Sequence, residues 1–536
     1  MFDIIIINGQ IVDGSGSPAY KGDIAIKDGL IVKIDSKIED EAAEIIDAKG
    51  LQVCPGFIDN HSHSDFSVFT GSDSYNYLEQ GVTTQIVGHC GDSPAPYYDD
   101  GIDYTTKGLT KEEFERRREI SRTPSSFMRA AEQQSFGTNY AFFIGQGALR
   151  GNVMGFEDGR ANPEQMSVMK KNLTEALENG YIGFSSGLVY APSVYADEDE
   201  LTELAEVLKP YHGVYASHIR GEGNNVLRAV KEAISIGENA GVDVLISHLK
   251  TMGSHNEGIS VELLKAIDEA NERGVVVNAD QYPYTASSAP LSSQIPPKYL
   301  VGGIPKLLDF IKDAENRKKI EYSIFNEVDE FESAVFSAGY DNTLIAEANL
   351  TPDYVDKTVG EIARAENKEP IDVLCEILIK NKGYVQGIYF NQNNTDLLRI
   401  MKHPRVFCGS DWNDFPDKKI DYETNGSGHP RATATMVRRI ELVRDFRLRT
   451  MEESVRNLSY DTAHAMHLEG IGQLKEGWNA DICICDYERL HANASYSHPY
   501  RAADGIHWVI VNGKVAVKDG RTFGVRNGKV LKHSGK

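Results

Sequence analysis

No stretch of this 536-residue chain approaches the roughly 18 consecutive apolar residues that a spanning helix needs, so nothing in it is expected to cross a bilayer. Basic charge is also scarce. Lys and Arg number 56 against 79 Asp and Glu, a net charge of -23. Such a surface repels nucleic-acid phosphates and anionic headgroups, which argues against a nucleic-acid or membrane partner. The six cysteines, Cys54, Cys90, Cys375, Cys408, Cys483 and Cys485, follow no regular spacing, so a disulfide framework is not expected. Met1-Phe2-Asp3 and four isoleucines before Asn8-Gly9 supply neither the basic region nor the apolar length of a secretory signal. A protein of the reducing cytoplasm is the expectation.

With 41% hydrophobic and 25% charged residues the composition is ordinary for a globular protein, and the length calls for one large domain plus a smaller one. Residues 2–34 alternate strand-like runs with the turn pairs Asn8-Gly9 and Asp28-Gly29. The same texture returns at 480–486 and 508–515. Each end is too short to close its own core, so the two are expected to pair into one small β-domain, a sandwich formed by 1–54 and 470–536. Cys483 and Cys485 would then share one face of a strand as buried apolar fillers.

Between the ends, strand and helix patterns alternate. Strand-like runs fall at 84–89, 140–145, 183–188, 214–219, 242–249, 275–280 and 406–411, and the segment ending at His61 makes eight. Amphipathic stretches at 164–178, 198–208, 225–239 and 259–272 separate many of them. This pattern predicts an α/β fold, a (β/α)8 barrel of the TIM type over 55–469. The connection from the seventh strand to the eighth, from about 282 to 405, is far too long for a simple crossover. It is read as an insertion over the barrel mouth, lid-like over 285–345.

Catalytic groups in such barrels sit at the C-terminal strand ends. Strand one ends in His61 and His63, whose i, i+2 spacing puts two imidazoles on one face. Strand two ends in His89 and Cys90, strand five in His218 and Arg220, strand six in His248 and Lys250, and strand eight in Asp411. Taken singly, each has an ordinary structural explanation: a hydrogen-bonded core histidine, a small buried thiol, a helix cap. Together they are imidazoles, a thiol and a carboxylate converging on one rim, a donor set suited to Zn²⁺. Arg220 and Lys250 each stand two residues from a histidine, where a cation beside a metal suits an anionic substrate group.

Gly56-Phe57-Ile58-Asp59 before His-x-His, with β-segments at both chain ends, resembles the amidohydrolase superfamily. Gly88-His89-Cys90-Gly91, Ser217-His218-Ile219-Arg220, Ser247-His248-Leu249-Lys250, Tyr282-Pro283-Tyr284, Gly409-Ser410-Asp411 and His429-Pro430-Arg431 resemble its N-acyl-D-amino-acid deacylases, the D-aminoacylases, over nearly the whole chain. Many dinuclear relatives bridge their metals with a carboxylated Lys, and some with a Glu. The fourth strand here, Gly183-Phe184-Ser185-Ser186-Gly187-Leu188, offers neither, and the resemblance implies that Cys90 replaces that bridge. The family usually carries Asn where His89 stands, which leaves His89 as an extra ligand, a partner to a ligand or a pocket wall, the last two preferred. The segment from Asp411 to Arg431 is long by the same comparison.

The resemblance implies a zinc hydrolase acting on N-acyl-D-amino acids as small-molecule substrates. Cys90, His218 and His248 would hold the tighter ion, and His61 with His63 a second, weaker site sharing Cys90. Asp411 would take the proton of water and pass it to the departing amine. Lys250, Tyr282 and Arg431 would bind the substrate carboxylate, with Tyr190 and Ser288 as further donors. Arg220 is either a pocket residue or the partner of a nearby carboxylate, Glu222 being close in sequence. Another amidase on the same scaffold, opening cyclic amides or cleaving other N-acyl amides, is the alternative. A non-catalytic scaffold would be expected to have lost ligands or Asp411, and this chain keeps them. A homo-oligomer is compatible with this reading; the preferred side chain and acyl group are not encoded in it.

Overall fold

The computed structural model describes residues 1–415 and 428–533. Eight parallel strands, Phe57–Asp59, Val82–Val87, Asn139–Gly145, Gly183–Gly187, Val214–His218, Asp243–Ile246, Val277–Gln281 and Val406–Cys408, lie side by side in chain order except for the closure. The seam between the first and the eighth closes just past the strands themselves. Asn60 N–H donates to the Cys408 carbonyl at 3.0 Å, and Asp411 N–H donates to the His61 carbonyl at 2.7 Å. Ser62 and Trp412 form a parallel bridge beside them. The expected barrel is therefore present, with the seam running through its functional rim.

Period-two alternation explains how each strand serves two cores. Ala141 and Phe143 of the third strand pack into an interior cluster with Ile58, Ile86, Ala216, Leu245 and Phe407. Their neighbours Tyr140, Phe142 and Ile144 face outward into the larger cluster shared with the helices. The helix Val226–Ala240 shows the matching 3.6 periodicity, burying Val226, Ala229, Val230, Ala233, Ile234 and Gly237. It stops where Gly241 takes φ 71°, a left-handed position that glycine occupies without a Cβ penalty. The helix Pro163–Glu178 starts on an Asn162 cap with Gln165 reaching back, and with proline in its first turn.

Both chain ends build one nine-stranded sheet. Gln52–Pro55, after the N-terminal hairpins, pairs antiparallel with Ile482–Cys485. Ile31 N–H bonds to the Trp478 carbonyl and Ala480 N–H to the Gly29 carbonyl, so the sheet turns back on itself around an isoleucine-rich core. Cys54, Cys483 and Cys485 are buried in an apolar cluster with Phe57 and Val82 at the junction with the barrel.

The insertion has its own core, with Leu291, Ile295, Leu307, Ile324, Leu374 and Ile377 among its members. Its three-stranded sheet places Gln386–Tyr389 between Ser287–Pro290 and Thr343–Glu347. The compact unit thus runs well past residue 345, the expected limit, because its central strand is supplied last. Residues 416–427, most of the long segment between Asp411 and Arg431, lie outside the described residues. No helix among the described residues is long and apolar enough to cross a membrane.

Candidate active site

The metal-capable side chains meet at the barrel rim in two groups that share one thiol: His61, His63, Cys90 and Asp411, and Cys90, His218 and His248. Within each group the donor atoms lie no more than 4.8 Å apart. Cys90 Sγ stands 3.3 Å from His61 Nε2 and 3.5 Å from His248 Nε2. Asp411 Oδ1 stands 3.1 Å from His63 Nε2 and 3.6 Å from His61 Nε2.

Local backbone geometry aims these groups. Cys90, His248 and Asp411 all adopt positive φ, at 55°, 34° and 52°. That region is sparsely populated for non-glycine residues, and it persists only where the surroundings enforce it. At the end of the second strand the enforcement is visible. Gly88 has φ 80°, and a Cβ there would fall 2.0 Å from the Phe143 carbonyl oxygen. The bend that presents Cys90 therefore depends on glycine.

The donor set fits a divalent soft-to-borderline ion. Burial pushes the His61 and His218 imidazoles well below their usual range, so both are neutral and offer a lone pair. His218 Nδ1 is buried with no hydrogen-bond partner, the state expected of an atom reserved for a ligand. Burial pushes the Cys90 thiol up, so it ionises only when a cation compensates. Cys90, His218 and His248 form one donor triad for such an ion, and His61 and His63 complete a second around the same thiol.

Asp411 is the anionic member. Burial opposes its charge, but Arg431 and the His63 hydrogen bond outweigh that and hold its carboxyl well below the usual range. Arg431 Nη1 donates to Asp411 Oδ2 at 2.7 Å, while Nη2 reaches the Ser288 carbonyl at 3.3 Å. The guanidinium lies over Tyr282 and Trp412, and its Nε is buried without a partner.

A cleft opens onto the rim, lined by Tyr190, His218, His248, Lys250, Tyr282, Ser288 and Asp411 among others. Arg431 stands behind this lining rather than in it. Tyr190 packs edge-on against His218 at 4.9 Å. Tyr282 Oη accepts from Gln392, and Ser288 Oγ from Gln386, so both are anchored by the insertion. Lys250 Nζ lies 2.7 Å from His248 Nδ1 and also pairs with Glu222.

Arg220 turns away from the site and forms an ion pair with Glu232 at 2.8 Å. Of the two roles open to it, it takes the carboxylate partner, but the carboxylate is on the following helix and not Glu222. His89 stacks on His61 at 4.0 Å, meets Phe143 edge-on, and lies in neither donor group. Sequence reasoning missed Asp280, at the end of the seventh strand. Its Oδ1 accepts from His61 Nδ1 at 3.1 Å and from His248 N–H at 2.7 Å, fixing one ligand's ring and another's backbone. The strand-end test that found the other residues would have found it too. Glu222 was noticed, but for the wrong cation.

Residues 44–111 match the family model described as "Amidohydrolase family". The chain is 29% identical to a D-aminoacylase of Alcaligenes xylosoxydans xylosoxydans, over 99% of this chain and 97% of that one. A solved D-aminoacylase described with a binuclear metal centre superposes with a TM-score of 0.82 at 28% identity, covering 99% of this chain and 100% of that one. An N-acyl-D-glutamate deacylase of Bordetella bronchiseptica, solved with zinc and a phosphonate mimic of the tetrahedral intermediate, gives 0.80 at 28% identity over 99% of each. In sequence and fold, over essentially its full length, the chain is similar to N-acyl-D-amino-acid deacylases (D-aminoacylases).

Proposed function

We propose that this protein is a zinc-dependent hydrolase that removes the acyl group from the nitrogen of an N-acyl-D-amino acid, giving a carboxylate and a D-amino acid. The observation that carries the reading is the pair of donor groups sharing Cys90, with Asp411 reaching into one of them from the eighth strand. Cys90, His218 and His248 would hold the tighter ion, and His61 and His63 a second beside it. A divalent metal held there supplies Lewis acidity to the scissile carbonyl and to water.

The remaining work falls to the chain's own groups. Hydrolysis forms one C–O bond and breaks one C–N bond, and a proton must travel from water to the departing nitrogen. Asp411 lies on the cleft wall. Its carboxylate takes the proton from water and delivers it to the amine, which leaves poorly as an anion. Lys250 faces the cleft and meets the substrate carboxylate directly. Arg431 supports it from behind Tyr282. Because Arg431 is also the salt partner of Asp411, a substrate carboxylate that draws on Arg431 loosens its hold on Asp411 at the moment a base is needed. The D hand is taken from the family. Six free, buried cysteines fit a reducing cytoplasm.

The test is a screen of N-acetyl-D- and N-acetyl-L-amino acids with metal analysis of the same preparation. Release of D-amino acids by protein carrying stoichiometric zinc is expected. Turnover confined to L-substrates, or zinc-loaded protein that opens only cyclic amides, would overturn the reading.

A further inference from the structure

We propose that Glu222 is a positioning residue that sets the tautomer of His248 and so keeps its Nε2 free to bind the metal, an inference that rests on the metal site proposed above. Glu222 follows the fifth strand, is 7% exposed, and is held from both sides. Its carbonyl accepts from Met252 N–H at 2.8 Å, and Glu332 of the insertion braces the next residue by accepting from Gly223 N–H at 2.7 Å. Its carboxylate Oε1 then faces two groups together, Lys250 Nζ and, at 3.1 Å, His248 Nδ1.

An ammonium only donates hydrogen bonds, and a carboxylate only accepts them. Lys250 Nζ is 2.7 Å from His248 Nδ1. Were these two alone, the lysine would donate to Nδ1. A neutral imidazole that accepts at Nδ1 carries its proton on Nε2, and Nε2 is the atom that faces Cys90 Sγ at 3.5 Å. That tautomer cannot ligate a metal through Nε2. Glu222 Oε1 is within reach of both groups, 3.1 Å from Nδ1 and paired with Lys250 Nζ, so in the proposed arrangement Nδ1–H donates to the carboxylate and Lys250 donates to the same oxygen. The proton is then on the far nitrogen, and the Nε2 lone pair points at the shared thiol. Glu222 thus allows a cation for the substrate and a metal ligand to stand two residues apart on one strand end without competing.

A merely structural Glu222 and a tautomer-setting one differ in how they respond to removal of Lys250. Zinc affinity is measured by competition with a chromophoric chelator for the parent protein, Glu222→Ala, Lys250→Met and the double variant. Loss of a carboxylate that orients a metal-bound histidine weakens metal binding about 10- to 100-fold, and Glu222→Ala is expected in that range. Lys250→Met alone leaves zinc affinity close to the parent. The double variant recovers most of the loss, because the competing donor has gone. A double variant as weak as Glu222→Ala, or a Glu222→Ala protein with parental affinity, would overturn the proposal. Should Glu222→Ala fail to fold, Glu222→Leu with and without Lys250→Met reads the same recovery, because leucine keeps volume but offers no acceptor. Failure of the parent protein itself to bind zinc would instead sink the metal site on which the inference rests.

Discussion

Replacing Lys250 by methionine removes the one Lys or Arg among the described residues lining the cleft while keeping a side chain of similar length. Lys250 is 4% exposed, and its neighbour Glu222 retains the His248 Nδ1 contact when the lysine is gone. The damage should therefore be confined to what Lys250 itself binds. A hydrogen bond to a charged group is worth about 1.5–3 kcal/mol, and each 1.36 kcal/mol is tenfold in rate. The expected loss in kcat/KM for an N-acetyl-D-amino acid is then roughly 10- to 150-fold. The assay compares that substrate with its α-carboxamide, which has the same scissile bond and the same side chain but no carboxylate. The carboxamide should be hydrolysed poorly by the parent enzyme and lose less than about threefold on substitution, because the missing interaction was never made. Equal losses on both substrates would show that Lys250 serves the general shape of the site, and the carboxylate clamp would have to be abandoned.

Asp411→Asn should keep the fold and most of the metal but lower kcat by about 10²- to 10⁴-fold, the usual worth of a positioned acid–base group; turnover near the parental rate removes Asp411 from the proton path. Cys90→Ala should lose metal from both donor groups together, since both include that thiol, and elemental analysis showing full occupancy would refute the shared-ligand assignment. Away from the site, Arg150 and Glu200 form a fully buried pair at 2.7 Å whose carboxylate also accepts from Ala161 N–H. Glu200→Ala strands the guanidinium and should cost about 3–5 kcal/mol, read from the urea midpoint. An unchanged midpoint would mean that the pair contributes nothing.

The barrel was legible because its strands alternate between two cores and end in chemically conspicuous residues. The run ending at His89 and the run ending at Asp411 could be placed to within a few residues from hydrophobicity alone. Side-chain pairing across the rim was not legible. Glu222 and Glu232 both follow Arg220, and nothing in linear order says which carboxylate turns toward it; the answer depends on a helix start that carries Glu232 under Arg220 while the preceding loop turns Glu222 inward. Asp280 escaped notice for a different reason. It ends a strand in Asn278-Ala279-Asp280-Gln281 with no histidine beside it, so its task, holding His61 and the His248 backbone, emerges only in three dimensions. The insertion extends past the expected limit because its middle strand, Gln386–Tyr389, pairs with edge strands at Thr343–Glu347 and, much earlier, Ser287–Pro290, a long-range pairing that local pattern does not record.

The barrel seam closes through His61 and Asp411, the same two residues whose side chains face each other in the site. A ring of strands is weakest where its first and last members meet, since that joint closes only after the whole chain has been laid down. An ion held, as proposed, by donors from the first strand end and from the second, fifth and sixth would act as a clasp beside that joint. Stripping the metal should therefore loosen the molecule unevenly: the amides of Asn60 and Asp411 should exchange with solvent sooner, while those in the middle of the sheet, such as Ala216 and Leu245, keep their protection. Catalytic competence and the mechanical closure of the ring would then be lost at one place, and a cell short of zinc would hold this protein as an opened hoop rather than as an intact but idle enzyme.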